Sequence, residues 1–337
     1  MLPVHSALTR ACPKRIGFSL ILFISLHISR LISLYILISP CFIRNFMLCR
    51  NTFAITINIS EKREKIKQYG GINMKLREKF WLWGHPEGRY NNEFGNTQIS
   101  RMTPMEGCLY LGVRNTFMVP VGVDVNKRQY NKSFKTLRQV GWECFTAVSN
   151  PEDIEPLIED AKDFPNIGCV VLDDFVRLAA KNKIDVEEGI ANLWKIRERL
   201  HNNPVRKLDM WMVLYTSEFG VDPEEDEKVR RFIEPFDGVI MWTWSESSVP
   251  KIPEKYEIFK KIAPNQRYMF GCYLWNFGEK KPATGEAVKW QLDWYHDKLL
   301  KGEVEGIVLH TNTMADLDLE AYDVACEWMD AHGDEEI

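Results

Sequence analysis

Ile167-Gly168-Cys169-Val170-Val171-Leu172-Asp173-Asp174-Phe175 is the stretch that decides the architecture. A short apolar run rich in β-branched residues ends in two adjacent carboxylates and an aromatic. An unbroken apolar run of this length predicts a strand buried on both faces, the usual state in a parallel sheet. Two acids at its C-terminal tip are costly to bury unless they are solvated, paired or in use.

Working outward, the same strand-then-polar-tip unit recurs. Lys79 to Trp83 predicts a first strand with the tip Gly84-His85-Pro86-Glu87, and Thr116 to Val121 a second. Trp142 to Val148 predicts the third strand, and 167–172 is the fourth. Leu208 to Thr216 (tip Ser217, Glu218) and Gly238 to Thr243 (tip Trp244, Ser245, Glu246) follow. Arg267 to Leu274 (tip Trp275, Asn276) and Glu305 to Leu309 (tip His310, Thr311, Asn312) complete the series.

Helical signals fall between the strands. Thr103-Pro104-Met105-Glu106 is a capping box with proline at the first helical position. Lys132 to Val140 predicts a helix, and Asn150-Pro151 opens one with Ile154, Leu157, Ile158 and Ala161 along one face. Asp185 with Glu188, Asp222-Pro223, Pro253 and Thr284 start four more, and a last helix ends at His332-Gly333. Strictly alternating strands and helices force parallel pairing with right-handed crossovers. Eight such units predict a closed (β/α)8 TIM barrel, an α/β single domain over residues 74–337. A doubly wound open sheet is the alternative, but it more often has a glycine-rich first turn, and none follows Trp83.

Residues 1–73 differ from the rest. They hold no Asp, two Glu (Glu61, Glu64) and ten of the 43 Lys and Arg, so residues 74–337 carry 33 basic and 45 acidic groups, a net charge of −12. That acidic part argues against nucleic acid or anionic lipid as a partner. Within the leader, residues 16–43 are apolar, but His27 and Arg30 split them into pieces of roughly 14 and 13 residues, short of the ~20 a spanning helix needs. Tyr69-Gly70-Gly71-Ile72-Asn73-Met74 is compatible with a ribosome-binding GGAGG ahead of a start codon. The expectation is that Met74 is the true start and the leader is translated upstream DNA. A signal anchor is the alternative, and a membrane is a partner only in that case. Of eight cysteines, Cys108, Cys144, Cys169, Cys272 and Cys326 lie beyond the leader, widely spaced and without a CxxC. Free thiols and a reducing, cytoplasmic setting are expected, without structural zinc.

Active sites of (β/α)8 barrels lie at the C-terminal ends of the strands. The predicted tips gather His85, Glu87, Pro120, Asp124, Ser149, Asp173, Asp174, Glu218, Trp244, Glu246, Trp275, Asn276, His310 and Asn312, with Trp83, Trp242 and Tyr273 just below or among them. Eleven tryptophans is a high count, and four stand near these tips. Indole faces suit the apolar faces of pyranose rings, while carboxylates, Asn and His bond their hydroxyls. The chemistry expected is therefore on carbohydrate, with a small or oligomeric glycan as partner.

Glycoside hydrolysis needs one protonated and one ionised carboxyl group at the scissile bond. Asp173 and Asp174 are the first candidates, with Glu246 and then Glu218 as the cross-cleft partner. Alternation along a strand lets only one of Asp173 and Asp174 point into the mouth. The bland alternatives are that a tip acid caps a helix, and that Trp242 packs outward. Glu224, Glu225, Asp226 and Glu227 read as a solvated face.

Val170-Val171-Leu172-Asp173-Asp174-Phe175, Trp81-Leu82-Trp83-Gly84-His85 and Ser100-Arg101-Met102-Thr103-Pro104 resemble an uncharacterised group of bacterial glycoside-hydrolase-like barrel proteins, from Phe80 to Trp328. The resemblance implies a barrel acting on glycans. The D-x-x-D-x-D-x-E run of chitinase-like barrels is lacking. Two other functions compete: a metal-dependent sugar isomerase or epimerase with His85, Glu87, Asp174, Glu218 and His310 as ligands, though without an HxH or HExxH pair, and a barrel that holds a glycan without cleaving it. No organic cofactor is expected, because GxGxxG and GxxxxGK[ST] are absent and no lysine stands at a strand tip.

Overall fold

The computed structural model describes residues 74–176 and 185–337. The leader, 1–73, with its candidate anchor, lies outside the described residues, as does the segment 177–184. No helix among the described residues is long and apolar enough to cross a membrane.

Eight parallel strands close into a barrel: β1 (Phe80–Gly84), β2 (Asn115–Met118), β3 (Gln139–Glu143), β4 (Ile167–Leu172), β5 (Asp209–Tyr215), β6 (Gly238–Trp242), β7 (Arg267–Tyr273) and β8 (Gly306–His310). β1 pairs with both β2 and β8, so the sheet has no edge. Around it run α1 (Pro104–Tyr110), α2 (Lys127–Ser133), α3 (Glu155–Asp163), α4 (Val186–His201), α5 (Pro223–Ile233), α6 (Ile252–Ile262), α7 (Gly285–Leu300) and α8 (Glu320–His332).

Local chemistry sets several boundaries. Thr103 and Glu106 form the full reciprocal capping box at α1, with Pro104 at its first position. The Asp185 carboxylate accepts the N–H groups of Glu187 and Glu188 to start α4. Three sequence expectations are corrected. The helix expected over Lys132 to Val140 lies earlier, because the Asn126 side chain accepts the Gln129 N–H and nucleates α2 there; 139–140 belong to β3. The third strand ends at Glu143 and not at Val148, because the Glu143 carboxylate takes the Phe145 N–H and turns the chain into a 3-10 segment, Phe145–Val148. β2 likewise stops at Met118. Beyond Pro120 the backbone is left-handed at Val121 (φ 52°) and Gly122 (φ 75°), a conformation that a β-branched residue rarely adopts.

The lumen is filled by aromatic rings. Trp81 stacks on Phe117 at 4.4 Å, and Trp83 meets Trp242 edge-on at 5.5 Å. β1 and β6 are separated by β7 and β8 in the sheet, so that last contact crosses the barrel. Trp242 therefore points inward, which decides between its two expected placements. The space for it comes from Gly271 on the neighbouring strand, where an added Cβ would lie 2.0 Å from the indole.

Candidate functional site

At the C-terminal mouth, the two histidines of the first and last strand tips meet. His85 Nε2 lies 3.4 Å from His310 Nε2 and 3.2 Å from the Tyr90 hydroxyl. His85 Nδ1 faces the Val119 carbonyl at 2.6 Å. A carbonyl only accepts, so Nδ1 carries the proton and Nε2 offers a lone pair. Full burial holds His85 neutral, its pKa lowered to about 3 against the opposing pull of that carbonyl bond. Burial also pushes His310 well below the ordinary imidazole range, with His85 adding to the shift. The pair is a neutral hydrogen-bonded centre.

Asn312 locks this centre in place. Its Oδ1 accepts the His85 N–H at 2.8 Å, and its Nδ2 donates to His85 O at 3.0 Å and Met102 O at 2.8 Å. The peptide between His310 and Thr311 is cis. Around His310 stand Tyr273 (4.8 Å), Phe277 (4.8 Å), Tyr90 (5.7 Å) and Trp242 (5.8 Å). Tyr90 and Phe94 come from the long loop between β1 and α1, and Trp275 Nε1 donates to Phe94 O at 3.1 Å. That loop covers the centre of the barrel.

This geometry corrects the expectation of open indole faces. Trp83, Trp242, Trp275, Tyr273, His85, His310, Asn276 and Asn312 are all buried. Of the anticipated aromatic rim, Trp244 is half-buried and turns edge-on to Tyr215 and Tyr273. The crevice between Trp244, Tyr273 and Trp275 has a volume of about 10 Å³, room for one water at most.

The open part of the rim lies at the tips of β2, β3 and β4. A cleft of about 520 Å³ there is lined by residues 119–125 and 143–146 together with Lys127, Asp153, Asp173 and Asp174. Five carboxylates (Asp124, Glu143, Asp153, Asp173 and Asp174) thus share one hollow with a single lysine. Asp173 and Asp174 are half-buried, and Asp174 takes a left-handed backbone (φ 51°), which short polar side chains tolerate. Their charges raise the phenols of Tyr90, Tyr215 and Tyr273 beyond what burial does, so the acids border the aromatic centre. Burial raises the Glu143 carboxyl above the ordinary range, opposed by the Phe145 N–H and the charge of Lys127. It stands level with Val171 in the β3–β4 register, two residues before Asp173.

Sequence reading missed Glu143, because the third strand was extended through it. A strand ending at its acid, as the fourth strand does, was the available signal. Tyr90 and Phe94 were missed too; the signal was the length of the segment between the first strand and Thr103.

The remaining candidates have structural partners. Glu246 accepts the Thr284 N–H at 2.8 Å and its hydroxyl at 3.1 Å, at the start of α7. Glu218 Oε2 accepts the Tyr215 N–H at 2.8 Å. Asn276 Oδ1 accepts the N–H groups of Glu246 and Glu279. Glu87 is exposed, 3.4 Å from the Tyr130 hydroxyl. The five residues weighed as metal ligands (His85, Glu87, Asp174, Glu218 and His310) do not converge: among the described residues, the sets of three or more acids, cysteines and histidines within ligand reach include none of them.

What fold and rim define is a (β/α)8 barrel whose C-terminal mouth gathers histidines, carboxylates and aromatic rings. Solved structures resemble the barrel at low identity. Active domain 2 of a thermostable chitinase from Pyrococcus furiosus, solved with chito-oligosaccharides, matches 78% of this chain and 99% of its own at 12% identity and a TM-score of 0.50. A GH18 chitinase from Pseudoalteromonas aurantia matches 74% of this chain and 99% of its own at 10% identity and a TM-score of 0.49. A tryptophan synthase chain from M. tuberculosis matches 77% and 94% at 11% identity and a TM-score of 0.42. The first of these likenesses shows the fold alone, and that fold hosts many chemistries. No family model and no curated protein matches the chain.

Proposed function

We propose that this chain is a carbohydrate-active enzyme of the glycoside hydrolase type, working in the cleft at the tips of β2, β3 and β4. The observation that carries this reading is the meeting, in one hollow, of a carboxyl group whose pKa burial raises (Glu143) with Asp173 and Asp174 at the tip of the next strand. Carboxyl groups in contrasting environments divide acid and base roles between them. In the proposed reaction Glu143 protonates the departing glycosidic oxygen, while the carboxylate of Asp173 or Asp174 stabilises the positive charge growing at the anomeric carbon. Glu246 and Glu218 are proposed to shape the rim through their backbone partners. The five cysteines among the described residues are free, four of them buried, which supports a reducing compartment.

The test is reducing-end release over a glycan panel that includes chito-oligosaccharides, comparing wild type with Glu143→Gln, Asp173→Asn and Asp174→Asn. Removing an acid or base is expected to lower kcat by about 10²–10⁴-fold. Glu143→Gln and one of the two Asn variants should show that loss. Full activity in Glu143→Gln would remove the assignment, and no release from any glycan by wild type would remove the hydrolase reading.

A further inference from the structure

A second convergence of side chains lies at the opposite end of the barrel. Helices in such barrels run against the strands, so the end of α8 comes down beside the start of β1. There Leu76 N donates to Glu335 O at 2.9 Å, and Ile337 N to Met74 O at 2.9 Å. Glu335 follows the Gly333 cap and turns its carboxylate towards two imidazoles. His296 Nε2, from α7, is 2.9 Å from Glu335 Oε2, and His332 Nδ1, the last residue of α8, is 2.5 Å from Glu335 Oε1. One donor atom from each of the three lies within 4.8 Å of the other two.

The rings are oriented before any ligand arrives. Trp328 lies edge-on to His296 at 5.3 Å and tilted against His332 at 4.6 Å. Its own indole N–H is held by Asp293 at 2.9 Å. His296 and His332 are half-buried and Glu335 is exposed, so an ion can enter from solvent.

The geometry points to a divalent transition-metal site formed by His296, His332 and Glu335, with water completing the coordination. Two neutral imidazoles and one carboxylate suit zinc and its neighbours, whereas magnesium and calcium prefer all-oxygen sites. Binding replaces two N–H···O bonds by bonds to the ion, and the proton of each neutral imidazole passes by way of solvent to its other nitrogen. Such an ion would pin α7 to the chain end that lies along the entry to β1.

The other convergent set, His201, Asp209 and Asp237, is a poorer host. Asp237 already faces Arg197, Lys207 and His201, and Asp209 faces Arg267 and Lys207, so the cationic positions there are filled. It serves as the control.

The experiment is calorimetric titration of chelator-treated full chain with zinc chloride, with circular dichroism to verify the fold of each variant. One zinc per chain is expected, unaffected by about a hundredfold excess of magnesium. His296→Gln and His332→Gln should each weaken binding at least tenfold, Glu335→Gln likewise, and His201→Gln should leave it unchanged. The Tm of wild type should rise with zinc, and that rise should vanish in folded His332→Gln. No saturable binding, or binding undiminished in both His296→Gln and His332→Gln, would overturn the proposal and leave Glu335 as an acceptor of two imidazole N–H groups. Loss of binding in His201→Gln alone would overturn it as well.

Discussion

Replacing Asn312 by alanine should unfasten the barrel mouth, and the size of the effect follows from its partners. The side chain is fully buried and makes four hydrogen bonds, to His85 N, His85 O, Met102 O and the Thr311 hydroxyl. Alanine keeps the Cβ that packs beside Gly107, where an added Cβ would lie 2.6 Å from it. The packing therefore survives while the bonds are lost. A buried polar group left without a partner costs about 1–3 kcal/mol. His85 N and O are enclosed and suffer this in full, whereas Met102 is half-buried and recovers part from water. The expected loss is about 4 kcal/mol, a large share of the roughly 5–15 kcal/mol that keeps a typical protein folded. Urea denaturation measures it as a lower midpoint at unchanged slope. Asn312→Asp retains the acceptor for His85 N–H but turns an oxygen towards two carbonyls, and should lose at least as much. A loss below about 1 kcal/mol in Asn312→Ala would refute the view that this amide fastens the last strand to the first.

Three further outcomes are expected. Burial raises the Glu143 carboxyl, so its contribution to stability is complete below the unfolded-state value near 4.3 and is lost as pH rises through the folded-state value. Glu143→Gln should therefore gain on wild type as pH rises from about 4.3 towards that folded-state value and hold the gain above it; thermal melts showing a pH-independent difference would contradict the assignment. Gly271→Ala sets a methyl 2.0 Å from a Trp242 ring that is itself held by Tyr273 and Trp83, so a loss of about 3 kcal/mol or insoluble protein is expected, and a Tm near wild type would disprove the fit. Glu246→Ala removes both oxygens at the start of α7 and should cost about 0.5–2 kcal/mol while sparing turnover. A fall in kcat as deep as that of Glu143→Gln would return Glu246 to the reacting groups.

The reach of the sequence is clearest where the two readings part. The run 167–172 was legible as β4 to the residue, because a strand buried on both faces must be apolar throughout and its acids mark where it meets water. Thr103, Pro104 and Glu106 announced α1 for a similarly local reason, since a cap is written within four residues. Glu143 was hidden because β3 ends where its own carboxyl oxygen accepts the Phe145 N–H, while the apolar pattern runs on to Val148. The burial of the mouth was hidden for a different reason: Tyr90 and Phe94 belong to a loop without periodicity, and what they cover lies on β7 and β8, far along the chain.

By itself, then, the order of residues determined the alternation of strands and helices, the closed parallel barrel and the C-terminal rim as the place where polar groups collect. Each of these follows from hydrophobic period and capping, which act over a few residues. Only the tertiary structure decided that Trp242 faces the lumen, that the two histidines form a neutral buried pair, and that the open cleft sits beside Glu143 and not beneath the tryptophans. Those outcomes depend on which side chains from distant strands fill the shared lumen and how far they exclude water, and burial of that kind exists only once the ring has closed.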